Sequence, residues 1–227
     1  MDKKKIAGEK ATEYVKDGMI LGLGTGSTAY HMVNKIGEMV KAGMDLKGVP
    51  TSKATEEQAK ALGIPLLSIN EVDHIDIDID GVDEIDPAFN ATKGGGGALF
   101  REKIVADLAD MVIWICDDSK LVDSLGAFPL PIEILQYGYT QTLKKMADYG
   151  WNPVLRERDG KVFVTDNGNY IADLHLEKPV DIQDVKEKLA TIVGVLETGQ
   201  FLNFCKYLIV GHDDGVEVIE NAKSIKD

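Results

Sequence analysis

Between Lys4 and Cys116 short apolar runs alternate with helical patterns, and this alternation constrains the fold more than any other feature of the chain. A helix over Lys4 to Lys16 closes at Gly18, residues 19–23 (MILGL) read as a strand, and a helix from Ser27 to Lys41 stops at Gly43. A strand LKGV follows. Ser52 is placed to cap the helix KATEEQAKAL, which Gly63 and Pro65 end, and PLLSI, IDIDID and MVIWIC supply three more strands. Short apolar strands separated by amphipathic helices pack as a Rossmann-like α/β domain, a mostly parallel sheet with helices on both faces.

Beyond Lys120 the pattern changes. LPIEIL, a helix YTQTLKKMADYG, strands around NPVLRER, KVFVTD and NYIADLHL, a helix DIQDVKEKLATI and a strand VGVLE give the order βαββαβ of a ferredoxin-like α+β unit. Asn167-Gly168 signals a hairpin between two of these strands. KYLIVG is expected to return to the first sheet. Residues 1–126 with 204–227 then form the catalytic α/β domain, and 127–203 an inserted subdomain.

The composition, 44% apolar and 28% charged over 227 residues, is that of a soluble globular protein. A formal net charge of −13 argues against a nucleic-acid partner, because such binding draws on clustered Lys and Arg. The basic N-terminal stretch MDKKKIAGEKATEYV lacks an apolar segment, and no apolar run approaches the ~18 residues a membrane span needs. Neither export nor membrane insertion is expected. Cys116 and Cys205 lie far apart inside apolar stretches and read as buried thiols of a reducing compartment, which fits the cytoplasm. An acidic chain still binds one small anion if it offers a local pocket of backbone amides and a few lysines.

The stretch HIDIDIDGVDEID (74–86) begins like a calcium loop, D-x-D-x-D-G. The twelfth position, which should carry a bidentate Glu, is Pro87, and the alternation of Ile75, Ile77 and Ile79 with Asp76, Asp78 and Asp80 has the period of a strand. Asp76 and Asp78 read as a polar strand face. Asp80 and Asp83 flank the turn at the carboxyl end of the strand, where open parallel sheets bind ligands, with Gly81 as the pivot that turns both towards one ligand.

Two glycine loops frame that position. Gly22-Leu23-Gly24-Thr25-Gly26-Ser27-Thr28 joins a strand to a helix but has Ser27 where a dinucleotide fingerprint needs glycine, so a monophosphate fits better than a dinucleotide. Lys93-Gly94-Gly95-Gly96-Gly97 leads into the helix ALFREKIVADLA, and so many glycines suit close backbone approach to a ligand. Glu102 falls on the arc of that helix that holds Ala98, Val105 and Ala109, an apolar side where desolvation favours a raised pKa and suits a general base.

Taken together, GLGTGSTA, VPTS, DGVDE, KGGGGAL with REK, DDSK, FPLPIEI, TDNGNYIAD and the ETG of VGVLETGQF resemble the type A ribose-5-phosphate isomerases over nearly the whole chain. Val82 and Gln200 depart from the family's common alanine and leucine. The resemblance implies interconversion of ribose 5-phosphate and ribulose 5-phosphate in the non-oxidative pentose phosphate pathway, without metal or other cofactor, by a homodimer or tetramer. It implies Glu102 as proton acceptor, and substrate binding by Thr25, Gly26, Ser27 and Thr28, by Asp80, Gly81, Val82 and Asp83, by Lys93, Gly94, Gly95 and Gly96, and by Lys120. The chemistry is consistent: Glu102 shuttles a proton between C2 and C1, Lys93 and the glycine amides steady the enediolate, and Asp80 and Asp83 hold hydroxyls or relay the proton between oxygens. Two rivals stand beside it. A metal-dependent enzyme would use the aspartates, although His31, His74, His175 and His212 lack ligand spacing. A non-catalytic sugar-phosphate sensor would bind the same ligand but has no use for a base at Glu102.

Overall fold

The computed structural model describes residues 2–176 and 181–224. In chain order the elements are α1 (Lys3–Ala11), β1 (Ile20–Leu23), α2 (Ser27–Lys41), β2 (Lys47–Pro50), α3 (Lys53–Leu62), β3 (Ile75–Gly81), β4 (Glu84–Ile85), β5 (Asn90–Thr92), α4 (Leu99–Leu108) and β6 (Ala109–Asp117). Then come β7 (Leu130–Ile134), α5 (Tyr139–Asp148), β8 (Asn152–Leu155), β9 (Glu157–Arg158), β10 (Lys161–Val162), β11 (Tyr170–His175), α6 (Ile182–Ala190), β12 (Val195–Thr198), β13 (Gln200–Leu202), β14 (Tyr207–Gly211) and β15 (Val216–Glu220).

Local chemistry sets most boundaries. The Asp2 carboxylate accepts the Lys4 and Lys5 amides at the start of α1, and the Ser52 hydroxyl accepts the Thr55 amide at 3.1 Å at the start of α3. The first helix ends sooner than its pattern predicts: the Thr12 hydroxyl bonds back to the Glu9 carbonyl at 2.7 Å, and Thr12–Tyr14 tighten into a 3₁₀ turn. PLLSI forms no strand, only a single bridge from Gly48 to Leu66. Pro65 has no amide to give a ladder, and Ser68 opens a 3₁₀ turn over Ile69–Glu71 with a capping box.

The chain divides into two units. The first takes the described residues up to Val82, Arg101–Leu121, and those from Asn203 on. Its sheet has the order β15-β14-β6-β3-β1-β2, parallel throughout except for β15, which pairs antiparallel with β14. Numbering its parallel strands by chain order gives 2-1-3-4-5, a doubly wound sheet whose strand order reverses between β1 and β3. On one face Leu21, Leu23, Ile77, Ile79, Ile113, Ile115 and Ile209 pack with Ala7 and Ala11 of α1, Ala29, Met32, Val33 and Ile36 of α2, and Ala59 of α3. The other face carries α4: a Cβ built on Gly22 would lie 2.6 Å from Val105 and 2.4 Å from Asp78.

The second unit comprises Asp83–Phe100 and Val122–Leu202. Its antiparallel sheet runs β12-β7-β11-β8, the 4-1-3-2 order of a βαββαβ unit, and Leu130, Ile132, Ile134, Ala172 and Leu174 pack with Met146 of α5 and Val185 and Leu189 of α6. Two expectations change here. Residues 83–100, expected in the first domain, group with this unit because β5 pairs with β13 in a three-stranded sheet with β4. The two-residue hairpin is at Asp159 (φ 54°) and Gly160 (φ 71°), which join β9 to β10. Asn167-Gly168 also reverses the chain, with the Gly168 amide on the Thr165 carbonyl and the Thr165 amide on the Asn169 carbonyl, both at 2.9 Å, but KVFVTD before it is a strand only over Lys161–Val162, paired with β9. Glu133 holds the Asn167-Gly168 turn: its buried carboxylate accepts from the Thr165 hydroxyl at 3.1 Å and from the Asn167 and Asn169 side-chain amides at 3.2 and 2.8 Å, wrapping that turn around β7.

Candidate active site

In the first unit the candidates collect at the carboxyl edge of the sheet, where β1 and β3 reverse the strand order. Asp80, fully buried, accepts the Thr25 amide at 2.9 Å and the Gly81 amide at 2.7 Å with the same oxygen. Gly24 makes this possible, since a Cβ there would fall 2.3 Å from that oxygen and 2.5 Å from the Asp80 Cα. Thr25 turns its hydroxyl inward, to Thr51 at 2.7 Å and Ser52 at 2.9 Å, while Thr51 and Thr55 bond the carbonyls of Leu23 and Gly24. These hydroxyls from VPTSKAT hold the loop and leave Gly26 (φ 109°) and Ser27 exposed at the start of α2. Thr28 is buried there.

Gly81 is not a pivot. It is the last residue of β3, pairs with Ile115, and a Cβ on it would meet nothing nearer than 3.7 Å. Val82 follows it, buried. Asp76 and Asp78 also differ from a solvated strand face: Asp76 accepts the Ile20 amide at 2.6 Å, and Asp78 is fully buried beside Gly22 on the α4 side. The strand alternation is correct, but the helix that follows the second glycine loop covers the polar side.

Glu102, 4% exposed, lies on the buried stripe of α4 with Leu99, Val105 and Ala106. This helix connects the parallel strands β3 and β6, so it runs back from the carboxyl edge of the sheet. Val105 rests over Gly22 and Asp78, and Glu102 lies three residues, ~4.5 Å of helix rise, closer to the carboxyl edge. Asp80 is displaced in the same direction from Asp78 by two residues of strand, ~6.6 Å. Base and aspartate therefore share one face and one edge.

Lys120 ends a short turn after β6, the strand beside β3. Burial pushes the Asp117 carboxyl up, but its hydrogen bonds from Ser119 and the Lys4 and Lys120 ammonium groups outweigh this and hold it below the ordinary carboxylate range. Lys4 also donates to the Ser27 hydroxyl at 3.0 Å. Sequence reasoning missed Lys4, since nothing local links it to a serine 23 positions away. The loop-holding hydroxyls of Thr51 and Thr55 were missed as well; only the Ser52 cap beside them was legible.

Asp83, Lys93, Gly94, Gly95 and Gly96 belong to the second unit and gather there. Asp83 accepts the Gly95 amide at 2.7 Å, so each candidate aspartate holds one glycine loop by its backbone. The loop closes by a bond from the Gly97 amide to the Gly94 carbonyl at 2.9 Å, with positive φ at both residues, 100° at Gly94 and 89° at Gly97. Lys93 is 2% exposed with its ammonium 5.4 Å from the centre of the Phe201 ring. Glu84, buried, accepts the Gly126 and Phe128 amides at 3.0 and 2.6 Å and anchors the chain leading to FPLPIEI. Among the described residues no three His, Cys, Asp or Glu side chains group as a metal site would need.

The family model for ribose 5-phosphate isomerase A (phosphoriboisomerase A) matches residues 47–215. The ribose-5-phosphate isomerase A of Enterococcus faecalis is 51% identical over 221 residues, covering 96% of this chain and 98% of that one. That of Lactiplantibacillus plantarum is 50% identical over 218 residues, covering 96% of each. Among solved structures, a D-ribose-5-phosphate isomerase in complex with phospho-erythronic acid superposes with a TM-score of 0.92 at 37% identity, over 97% of this chain and 100% of that chain. Ribose 5-phosphate isomerase from Plasmodium falciparum gives 0.91 at 40% identity, over 96% of this chain and 98% of that chain. With about half its residues identical to such enzymes over nearly its full length, and with the same fold, the chain belongs to the ribose 5-phosphate isomerase A family.

Proposed function

We propose that this chain, by family an isomerase of ribose 5-phosphate and ribulose 5-phosphate, performs the reaction through an enediolate with Glu102 as the base. The Glu102 carboxylate takes the C2 proton of the open-chain aldose as the C1 carbonyl oxygen gains negative charge. One proton passes between O2 and O1, Glu102 returns its proton to C1, and the carbonyl is left at C2. Lys93 and the amides of Gly94 and Gly96 are the donors for the charge that develops on oxygen, the Gly95 amide being held by Asp83. Asp80 and Asp83 keep the two loops in shape and contact the sugar hydroxyls. The amides at the start of α2, with Ser27, Thr28, Lys4 and Lys120, receive the phosphate. Gly81 and Val82 line the path of the sugar beside Asp80.

The observation that carries this reading is the burial of Glu102 on the inner stripe of α4, towards the same sheet edge as Asp80. Phospho-erythronic acid, held by the solved relative, has a carboxylate where an enediolate has its two oxygens, and it is expected to bind here. The pentose phosphate pathway, a cytoplasmic location and a homo-oligomeric state belong to the same proposal. Its support is the family membership and two buried thiols without a disulfide.

The experiment follows solvent deuterium into ribose 5-phosphate and ribulose 5-phosphate. The wild-type protein is expected to catalyse exchange, and Glu102→Gln to lose it by about 10²–10⁴-fold while still binding phospho-erythronic acid. A fully active Gln variant removes Glu102 from the reaction.

A further inference from the structure

We propose that Arg156 is a positioning residue for the isomerisation, fixing the carbonyl side of the second glycine loop so that its amide side presents a preset array to the enediolate. Arg156 follows β8 in the second unit, its side chain 10% exposed. One terminal nitrogen donates to two loop carbonyls, Gly94 at 2.8 Å and Gly95 at 3.2 Å. The rest of the guanidinium is taken by Asp173 of β11, through Nε at 2.8 Å and Nη2 at 2.5 Å. A bidentate carboxylate fixes the plane of an arginine as it cannot fix an ammonium. The loop is thus gripped on both sides, with Arg156 on its carbonyls and Asp83 on the Gly95 amide at 2.7 Å. Phe163 completes the seat: its ring lies 6.0 Å from the Arg156 guanidinium, and its edge fills the space that a Cβ on Gly97 would need, 2.4 Å away.

Four successive glycines have more backbone freedom than any other run of that length, and freedom in an oxyanion-binding loop must be removed before the reaction or during it. If it is removed beforehand, the cost falls on folding. An arginine bonded to two successive carbonyls does that, because orienting a peptide carbonyl also orients the amide on the far side of the same peptide plane. The Gly94 carbonyl shares its plane with the Gly95 amide, and the Gly95 carbonyl with the Gly96 amide. Arg156 therefore sets the directions of two loop amides without touching substrate: that of Gly95, which Asp83 holds, and that of Gly96, the one turned to the enediolate.

This inference rests on the reading that the Lys93–Gly96 loop serves the enediolate. Its test measures kcat, KM, melting temperature and phospho-erythronic acid affinity for Arg156→Met, Arg156→Lys and Asp173→Asn. Positioning predicts that Arg156→Met, at temperatures where it is folded, loses about 10- to 100-fold in kcat with KM within about threefold, and that affinity for phospho-erythronic acid falls with kcat/KM. Arg156→Lys keeps the charge but not the fork and recovers part of the loss at most. Asp173→Asn, which leaves Arg156 in place but frees its plane, loses less than Arg156→Met and serves as the test if that variant does not fold. Folded variants with wild-type kcat and analogue affinity, or a lowered melting temperature alone, overturn the proposal, as does a fully active Arg156→Lys. If Glu102→Gln abolishes exchange while the Arg156 variants turn over normally, only the positioning role fails. A fully active Glu102→Gln removes the proposed base whatever Arg156 does.

Discussion

Replacing Gly24 by alanine tests how the first glycine loop is held. The new Cβ would lie 2.5 Å from the Asp80 Cα, and that contact must open to an ordinary 3.4 Å, a displacement of about 0.9 Å. The obstacle is strand backbone, so no side-chain rotation relieves it. If Thr25 and Asp80 separate by that amount, their 2.9 Å hydrogen bond stretches to about 3.8 Å and is lost. Overpacking of this kind costs about 1–3 kcal/mol, and a hydrogen bond to a buried carboxylate about 1.5–3 more. A total near 4 kcal/mol corresponds to a drop of about 8–16 °C in Tm for a chain of this length. A loop moved by ~1 Å also costs on the order of 10²-fold in turnover. Gly81→Ala is the control, because its Cβ meets nothing within 3.7 Å, and its Tm should stay within a few degrees of wild type. Thermal unfolding followed by circular dichroism, with isomerase assays on Gly24→Ala, decides the matter. The reasoning is refuted if Gly24→Ala melts within about 2 °C of wild type, or if Gly81→Ala is damaged as much.

The thiols give a pH prediction with a definite sign. Burial pushes Cys116 up to about 12 from an ordinary 9.0, so its contribution is complete below pH 9 and is lost as pH rises towards 12, up to about 4 kcal/mol. Denaturant unfolding of wild type and Cys116→Ala should therefore converge across that window, and a constant difference would contradict it. Cys205 is also pushed up by burial, and both thiols should react with a disulfide reagent only after unfolding. Extensive dialysis against EDTA should leave turnover unchanged; activity lost and then restored by Mg²⁺ would return the aspartates to a metal-binding role.

The sequence by itself determined the parallel strands of the first sheet and the helices between them, the βαββαβ unit, the α2 and α3 boundaries and the buried arc carrying Glu102, because each follows from short-range periodicity and capping. The short strands β4, β5 and β13 and the edge strand β15 were not legible. Helix periodicity alone set Glu102 beside Val105, and the Ser52 cap was readable from its neighbours. Tertiary structure decided what those local patterns face. Asp78 and Asp80 occupy equivalent positions of an alternating strand, and only α4 packing on that side turns a polar stripe into buried carboxylates. The two-residue hairpin formed at Asp159-Gly160, while the Asn167-Gly168 turn folds around Glu133, a buried carboxylate on another strand. The partners of the loops, Thr51, Lys4 and Arg156, lie between 23 and 62 positions away along the chain, and hydrogen bonds at that separation have no local signal. A sequence records which residues repeat with which period; which distant group satisfies a loop's carbonyls and amides is settled only when the chain has folded around them.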